Sequence, residues 1–260
     1  MIIVLKKGLL IIDRGSREKE VRDELDEIAQ IAKEKGGYHY SNYCFLEVVP
    51  PFIEEGILNC IRENVDFITV VPYFLYPGLK LKESVKQTAI LANKLNLNLV
   101  ITKPLSYSQF LPVIILERIE KMKKDKNILY KNSECDVLII GHGSSDRRAR
   151  DAFIYTVNEV KRNFRNVGHC FLELDFPNIE QGLLHLIKSS PKIILVMPYF
   201  LHRGIHIKND VIKEISNALT KYDFADIHIS THIGVDEKMI NLVLERAKES
   251  ENRRNKTWSR

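Results

Sequence analysis

Asp136-Val137-Leu138-Ile139-Ile140-Gly141-His142-Gly143-Ser144 decides the fold, because it repeats a pattern first met at Gly8-Leu9-Leu10-Ile11-Ile12-Asp13-Arg14-Gly15-Ser16. In both places a short apolar run stops at turn residues, the mark of a strand buried in a parallel sheet. Two further motifs recur. Cys44-Phe45-Leu46-Glu47 returns as Cys170-Phe171-Leu172-Glu173, and Pro72-Tyr73-Phe74-Leu75-Tyr76-Pro77-Gly78-Leu79-Lys80 returns as Pro198-Tyr199-Phe200-Leu201-His202-Arg203-Gly204-Ile205-His206. Glu47 and Lys80 stand 33 positions apart, as do Glu173 and His206. Arg14 and Glu47 are also 33 apart, but His142 and Glu173 only 31, which places a short indel between those motifs. Duplication followed by divergence accounts for the pattern.

Outward from these motifs, each copy alternates strands with amphipathic helices. Val21, Leu25, Ile28 and Ala32 recur at helical spacing in the first copy, and Ala149, Phe153, Val157, Val160 and Phe164 in the second. Second strands end at Cys44 to Leu46 and Cys170 to Leu172, and third strands at Ile68 to Val71 and Ile193 to Val196. Fourth strands fall near Leu97 to Ile101 and Asp226 to Ser230, and the final helices contain Leu116-Glu117-Arg118 and Leu244-Glu245-Arg246. The expected class is α/β, with two tandem flavodoxin-like halves, each a four-stranded parallel sheet flanked by helices. The halves are expected at residues 1–124 and 135–251, joined by a lysine- and asparagine-rich linker from Glu120 to Glu134 and followed by a frayed basic tail at 252–260.

Composition excludes several function classes. No apolar run approaches the roughly 18 to 20 residues that span a bilayer, and the apolar start from Met1 to Ile12 reads as a first strand rather than a signal peptide. Four cysteines, none in a CxxC pair, suggest no disulfide framework and fit a reducing cytoplasm. The net charge of +5 is dispersed except at Arg253, Arg254, Lys256 and Arg260, and no basic-aromatic interleaving points to nucleic acid.

The copies differ where chemistry belongs. His142, Glu173, His202, His206 and His232 all follow predicted strands at their carboxyl ends, the edge where open α/β sheets bind ligands. Two imidazoles and a carboxylate from separate loops can hold a divalent metal and leave coordination positions open. Each residue also has a plainer reading. His142 could cap a helix, Glu173 could close a strand through backbone hydrogen bonds, His202 could be solvated, and His232 reads as structural. His39, His169, His185 and His228 read as packing or surface residues, and Cys44 and Cys170 as small buried ones. The Gly-Ser turns could cradle a phosphate, although neither matches a nucleotide-binding motif.

Gly141-His142-Gly143-Ser144, Phe171-Leu172-Glu173 and Pro198-Tyr199-Phe200-Leu201 followed by Gly204-Ile205-His206 resemble the class II chelatases that insert cobalt or iron into sirohydrochlorin. The resemblance covers nearly the whole chain. It implies a bilobal, chelatase-like fold, that His142 and His206 bind the incoming metal, that Glu173 assists catalysis, and that there is no organic cofactor, the divalent ion (cobalt or iron) being substrate; nitrogen and carboxylate ligands suit nickel equally. Neutral imidazole can desolvate and present a metal, and imidazole or carboxylate can accept the protons a macrocycle releases. In the first copy Arg14 and Lys80 replace the histidines, and a guanidinium cannot ligate a metal. Arg14, Arg17 and Lys80 are expected to clamp substrate carboxylates, with a surface salt bridge as the plain alternative; Ser16, Ser144 and His202 complete the substrate-binding candidates. The competing functions are a non-catalytic tetrapyrrole or metal carrier and a module binding a phosphate-bearing ligand. Two internal copies could supply what a single-copy relative gains by dimerising, so a monomer is expected.

Overall fold

In a computed structural model, the chain is described for residues 5–202, 210–222 and 226–258, with side chains up to residue 254. The first half builds β1 (Lys7–Asp13), α1 (Lys19–Gly36), β2 (Tyr40–Phe45), α2 (Ile53–Arg62), β3 (Phe67–Pro72), α3 (Leu79–Lys94), β4 (Leu99–Ile101) and α4 (Phe110–Asp125). The second half repeats the order with β5 (Asp136–Gly141), α5 (Arg147–Val160), β6 (Asn166–Phe171), α6 (Ile179–Ile187), β7 (Ile194–Pro198), α7 (Ile212–Leu219), β8 (Ile227–Ile229) and α8 (Glu237–Trp258).

Each half forms one four-stranded sheet, with strand order β2-β1-β3-β4 in the first and β6-β5-β7-β8 in the second. All pairings are parallel, and the registers correspond: Ile12 lies opposite Cys44 and Pro72, as Ile140 lies opposite Cys170 and Pro198. The apolar runs form the central strands because both faces of a parallel sheet are covered by helices. Leu9 to Ile12 and Val137 to Ile140 are all fully buried. Cys44 and Cys170 are likewise buried and free, and burial pushes both thiols far above the usual range. Their small size matters, since a Cβ added to Gly56 of α2 or Gly182 of α6 would lie 2.7 Å from the cysteine Cβ. Helix and strand therefore meet almost backbone to backbone at this point in both copies.

The compact units do not coincide with the sequence repeats. One unit comprises residues 1–106 and 235–260, and the other residues 107–234. Within the first unit α8 packs on α1, β3 and β4; within the second, α4 packs on α5 and β7. Each repeat thus gives its last helix to the other repeat's sheet. The repeated Leu-Glu-Arg motifs fix both exchanges. Arg246 of α8 donates to the carbonyls of Pro104 (3.0 Å) and Ser106 (3.2 Å), and Arg118 of α4 donates to those of His232 (3.2 Å) and Ile233 (3.0 Å).

Three boundaries differ from expectation. Residues 120–125 of the expected linker are the last turns of α4, where the half-apolar pattern of Ile119, Met122 and the buried Lys123 continues the helix. Residues 252–258 are helical, not frayed, and Arg254 stacks on Phe67 at 4.4 Å while hydrogen-bonding Asn98. Phe164 is buried but lies beyond α5 in extended backbone. No helix among the described residues is long and apolar enough to cross a membrane.

Candidate functional site

The central strands β1 and β5 both end in a turn whose third residue must be glycine. Gly15 and Gly143 have φ of +104° and +93°, and a Cβ there would lie 2.2 and 1.7 Å from the carbonyl oxygens of Glu47 and Glu173. The close approach exists because the turn is stitched to the neighbouring strand end. The N–H of Glu173 donates to the carbonyl of His142 at 2.9 Å, and that of Leu172 to Gly141 at 2.9 Å. In the first copy Glu47 donates to Arg14 at 3.0 Å and Leu46 to Asp13 at 2.9 Å. The backbone geometry that brings the two motifs together is thus common to both copies, and only the side chains differ.

In the second copy His142 is half-buried at the carboxyl end of β5, its ring 6.3 Å from that of Phe200 in edge contact. Glu173 is exposed at the adjoining strand end, and His202 is half-buried two residues beyond Phe200. His206 and Arg203 lie outside the described residues. Ser144 accepts the N–H of Asp146 at 3.1 Å, and Asp146 in turn caps α5 by accepting the N–H of Arg148 at 3.1 Å. Ser16 accepts the N–H of Glu18 at 3.2 Å. Both hydroxyl oxygens therefore shape the turn that leads into the helix.

In the first copy the residues at the same positions pair with one another. Glu47 accepts Nε of Arg14 at 2.9 Å and Nζ of Lys80 at 2.6 Å. Partial burial pushes the Glu47 carboxyl up, but the hydrogen bonds from Lys80 and Arg14 outweigh it and hold it below the usual carboxylate range. The Glu47 bond keeps the Lys80 ammonium above its usual range in turn. This is the ion-pair alternative, with two cations seated on the carboxylate at the positions where the second copy carries histidines. Arg17, three residues beyond Arg14, is exposed.

The remaining histidines have packing or surface settings. His169 of β6 meets the rings of Phe153 and Phe171 edge-on at 6.1 and 5.8 Å, and burial, assisted by Lys161 and Arg150, lowers its pKa. His228 pairs with Asp226 at 2.9 Å, and His39 and His185 are exposed. Among the described residues no group of three or more His, Cys, Asp or Glu side chains is arranged to hold a metal.

Two features beside His142 went unread in the sequence. Phe200 neighbours its ring, and the loop after Glu173 is held by Arg150, which donates to Asp175 at 3.0 Å and to the carbonyl of Phe176 at 3.2 Å. Phe200 lay in plain view within the repeated Pro-Tyr-Phe-Leu motif. Arg150 carried no signal, since it joins the loop only through tertiary contact.

A duplicated four-stranded parallel unit, with histidine in the first turn of one copy and an ion pair in the other, defines a tandem-repeat α/β protein with its divergent residues at the carboxyl edge of each sheet. The CbiX family model matches residues 8–122 and again 136–250, and the chain belongs to that family. Sirohydrochlorin ferrochelatase of Priestia megaterium is 26% identical over 250 residues, covering 93% of this chain and 89% of the relative. Sirohydrochlorin cobaltochelatase of the same organism is 23% identical over 250 residues, covering 94% and 79%. In three dimensions the chain is similar to SirB from Bacillus subtilis with Fe3+, with a TM-score of 0.81 at 24% identity over 95% of this chain and 96% of that one.

Proposed function

We propose that this protein is a sirohydrochlorin chelatase that inserts iron or cobalt into the tetrapyrrole, as required for sirohaem or cobalamin, with its metal-handling residues in the second copy. The observation that carries the reading is His142 in a Gly-His-Gly turn at the carboxyl edge of β5, stitched by backbone to Glu173, within a family whose named relatives are ferrochelatases and cobaltochelatases. Insertion exchanges two pyrrole N–H protons for one divalent ion. His142 and His206, as neutral imidazoles, would strip and present the ion, and Glu173 would take up one released proton while the other passes to solvent. Nitrogen and carboxylate donors suit such a task because they hold the ion at intermediate strength, whereas thiolates would retain it. The buried cysteines stay out of the chemistry. The reaction uses no organic cofactor; the metal is a substrate.

The first copy takes no metal in this reading. Arg14 and Lys80 remain 53% and 42% exposed while sharing Glu47, which leaves them positioned to meet a peripheral carboxylate of the tetrapyrrole, with Arg17 alongside. Ser16 and Ser144, in the turns after β1 and β5, and His202, after β7, are assigned to the substrate-facing rim on their position at the carboxyl ends of the strands. The protein acts as a cytoplasmic monomer, a state that light scattering on the purified chain would check.

Anaerobic absorbance of sirohydrochlorin mixed with ferrous, cobaltous or nickel ion tests the function. Wild-type protein should accelerate insertion, and His142→Ala or His206→Ala should each reduce the rate by about 100-fold or more, the range that positioned acid-base and ligand groups contribute. Wild-type rates equal to the protein-free control for all three ions would leave a carrier as the function.

A further inference from the structure

Immediately after Glu173 the second copy exposes two large apolar side chains, Leu174 at 69% and Phe176 at 71%. Neither placement is a by-product of a loose loop. Leu174 has a φ of +60°, a conformation that a branched residue adopts only when its surroundings impose it. Asp175, between them, has its side chain only 10% exposed, and its carboxylate accepts both the N–H of Phe176 at 2.8 Å and Nη1 of Arg150 at 3.0 Å. Arg150 donates a second bond to the Phe176 carbonyl and lies over the Phe171 ring at 5.8 Å. The polar residue of the loop is thus turned inward and tied to α5, while the two apolar ones are turned outward to water.

The same loop in the first copy has Val48 and Pro50 at these positions. Val48 shares the left-handed backbone, with φ of +75°, and is itself 47% exposed, so the loop shape and an outward apolar group at its first position are common to both copies, while the larger leucine and the exposed aromatic belong to the copy that keeps the histidine. They stand one and three residues beyond Glu173, whose N–H is bonded to the carbonyl of His142. A chelatase must hold a broad, flat, apolar macrocycle beside its metal ligand. We propose that Leu174 and Phe176 are substrate-binding residues that pack against the face of the tetrapyrrole, and that Arg150 is the positioning residue that presents them. The proposal rests on the chelatase reading above.

The test separates binding from insertion. Metal-free sirohydrochlorin is titrated into wild-type protein, Leu174→Ser, Phe176→Ser, Arg150→Ala and Leu129→Ser by tetrapyrrole fluorescence, and insertion kinetics are measured on the same five. Leu129 is 94% exposed ahead of β5, far along the strand from the His142 turn, and serves as the control for loss of an exposed apolar group. Removing an apolar contact of this size should raise Kd and KM for the tetrapyrrole about 10-fold in each of the two loop variants, with kcat and metal affinity within about twofold of wild type. Arg150→Ala should raise KM in the same direction without altering the metal preference. Unchanged KM in Leu174→Ser and Phe176→Ser, or an equal rise in Leu129→Ser, overturns the assignment while leaving the chelatase intact. Wild-type protein that neither binds the tetrapyrrole nor accelerates insertion overturns both.

Discussion

Gly143 and Gly15 show how a single residue type can position chemistry it does not perform. Any Cβ at Gly143 would occupy the place of the Glu173 carbonyl oxygen, so Gly143→Ala must push apart the strand ends that hold His142 and Glu173. The expected cost is about 2 kcal/mol or more in stability, with insertion activity lost beyond what the fraction unfolded explains; thermal denaturation and kinetics on one preparation check it. Gly15→Ala should carry a similar stability cost with a smaller effect on metal binding, because the first copy seats its cations on Glu47. Arg14→Ala should weaken tetrapyrrole binding several-fold and leave metal affinity unchanged, and isothermal titration with each ligand separately is the measurement. Reduced metal affinity alone would end the clamp assignment, since Arg14 cannot be a ligand.

Among the elements, α8 is the one whose role the sequence concealed. Its last turns carry Glu251, whose side chain is only 13% exposed and whose carboxylate accepts Lys7 Nζ at 2.7 Å, Tyr38 hydroxyl at 2.7 Å and Thr69 hydroxyl at 2.8 Å. Burial pushes the Glu251 carboxyl up, but the three hydrogen bonds, Lys7 foremost, hold it below the usual carboxylate range. Because the folded value is depressed, this stabilisation is fully present above the unfolded glutamate value of about 4.3 and is lost as pH falls through the folded one. Glu251→Gln should therefore cost about 2 kcal/mol near neutrality and flatten the acid limb of stability against pH, as read by urea denaturation at several pH values. A parallel, undiminished acid limb in the variant would assign that slope to other carboxylates. Of the basic residues that suggested a solvated tail, Arg253, Arg254 and Lys256 lie in this helix, with Arg254 held on Phe67, and Arg260 lies outside the described residues. Charge alone could not reveal that, since lysine and arginine stems pack on apolar surface while their heads stay polar.

At the scale of the whole molecule, the exchange of final helices makes each compact unit depend on sequence from both repeats. Removing residues 235–260 should strip the first unit of the helix that covers β3 and β4, while residues 107–234 keep their own complement. Hydrogen exchange should then show amide protection lost in β1 and β3 and retained in β5 and β7; equal protection in all four strands would contradict a helix contribution to that unit. The strands, their parallel arrangement and the placing of His142 and Glu173 at strand carboxyl ends were legible in the sequence, because buried strands are continuous apolar runs and the repeat supplied two readings of every element, whereas the strand order and the backbone bond between the two turns came from the structure. The same repetition located the divergence at Arg14 and Lys80, although only the coordinates seat both on Glu47. What the sequence determined by itself was local: apolar period, turn glycines, and the residue types brought to the carboxyl edge of each sheet. Tertiary structure alone decided which sheet each last helix covers, that Arg118 and Arg246 anchor the loops after the fourth strands, and that Arg150 turns Asp175 inward and Phe176 outward. Those are contacts between residues distant in the chain, and amphipathic periodicity fixes which face of a helix is buried without naming the surface it is buried against.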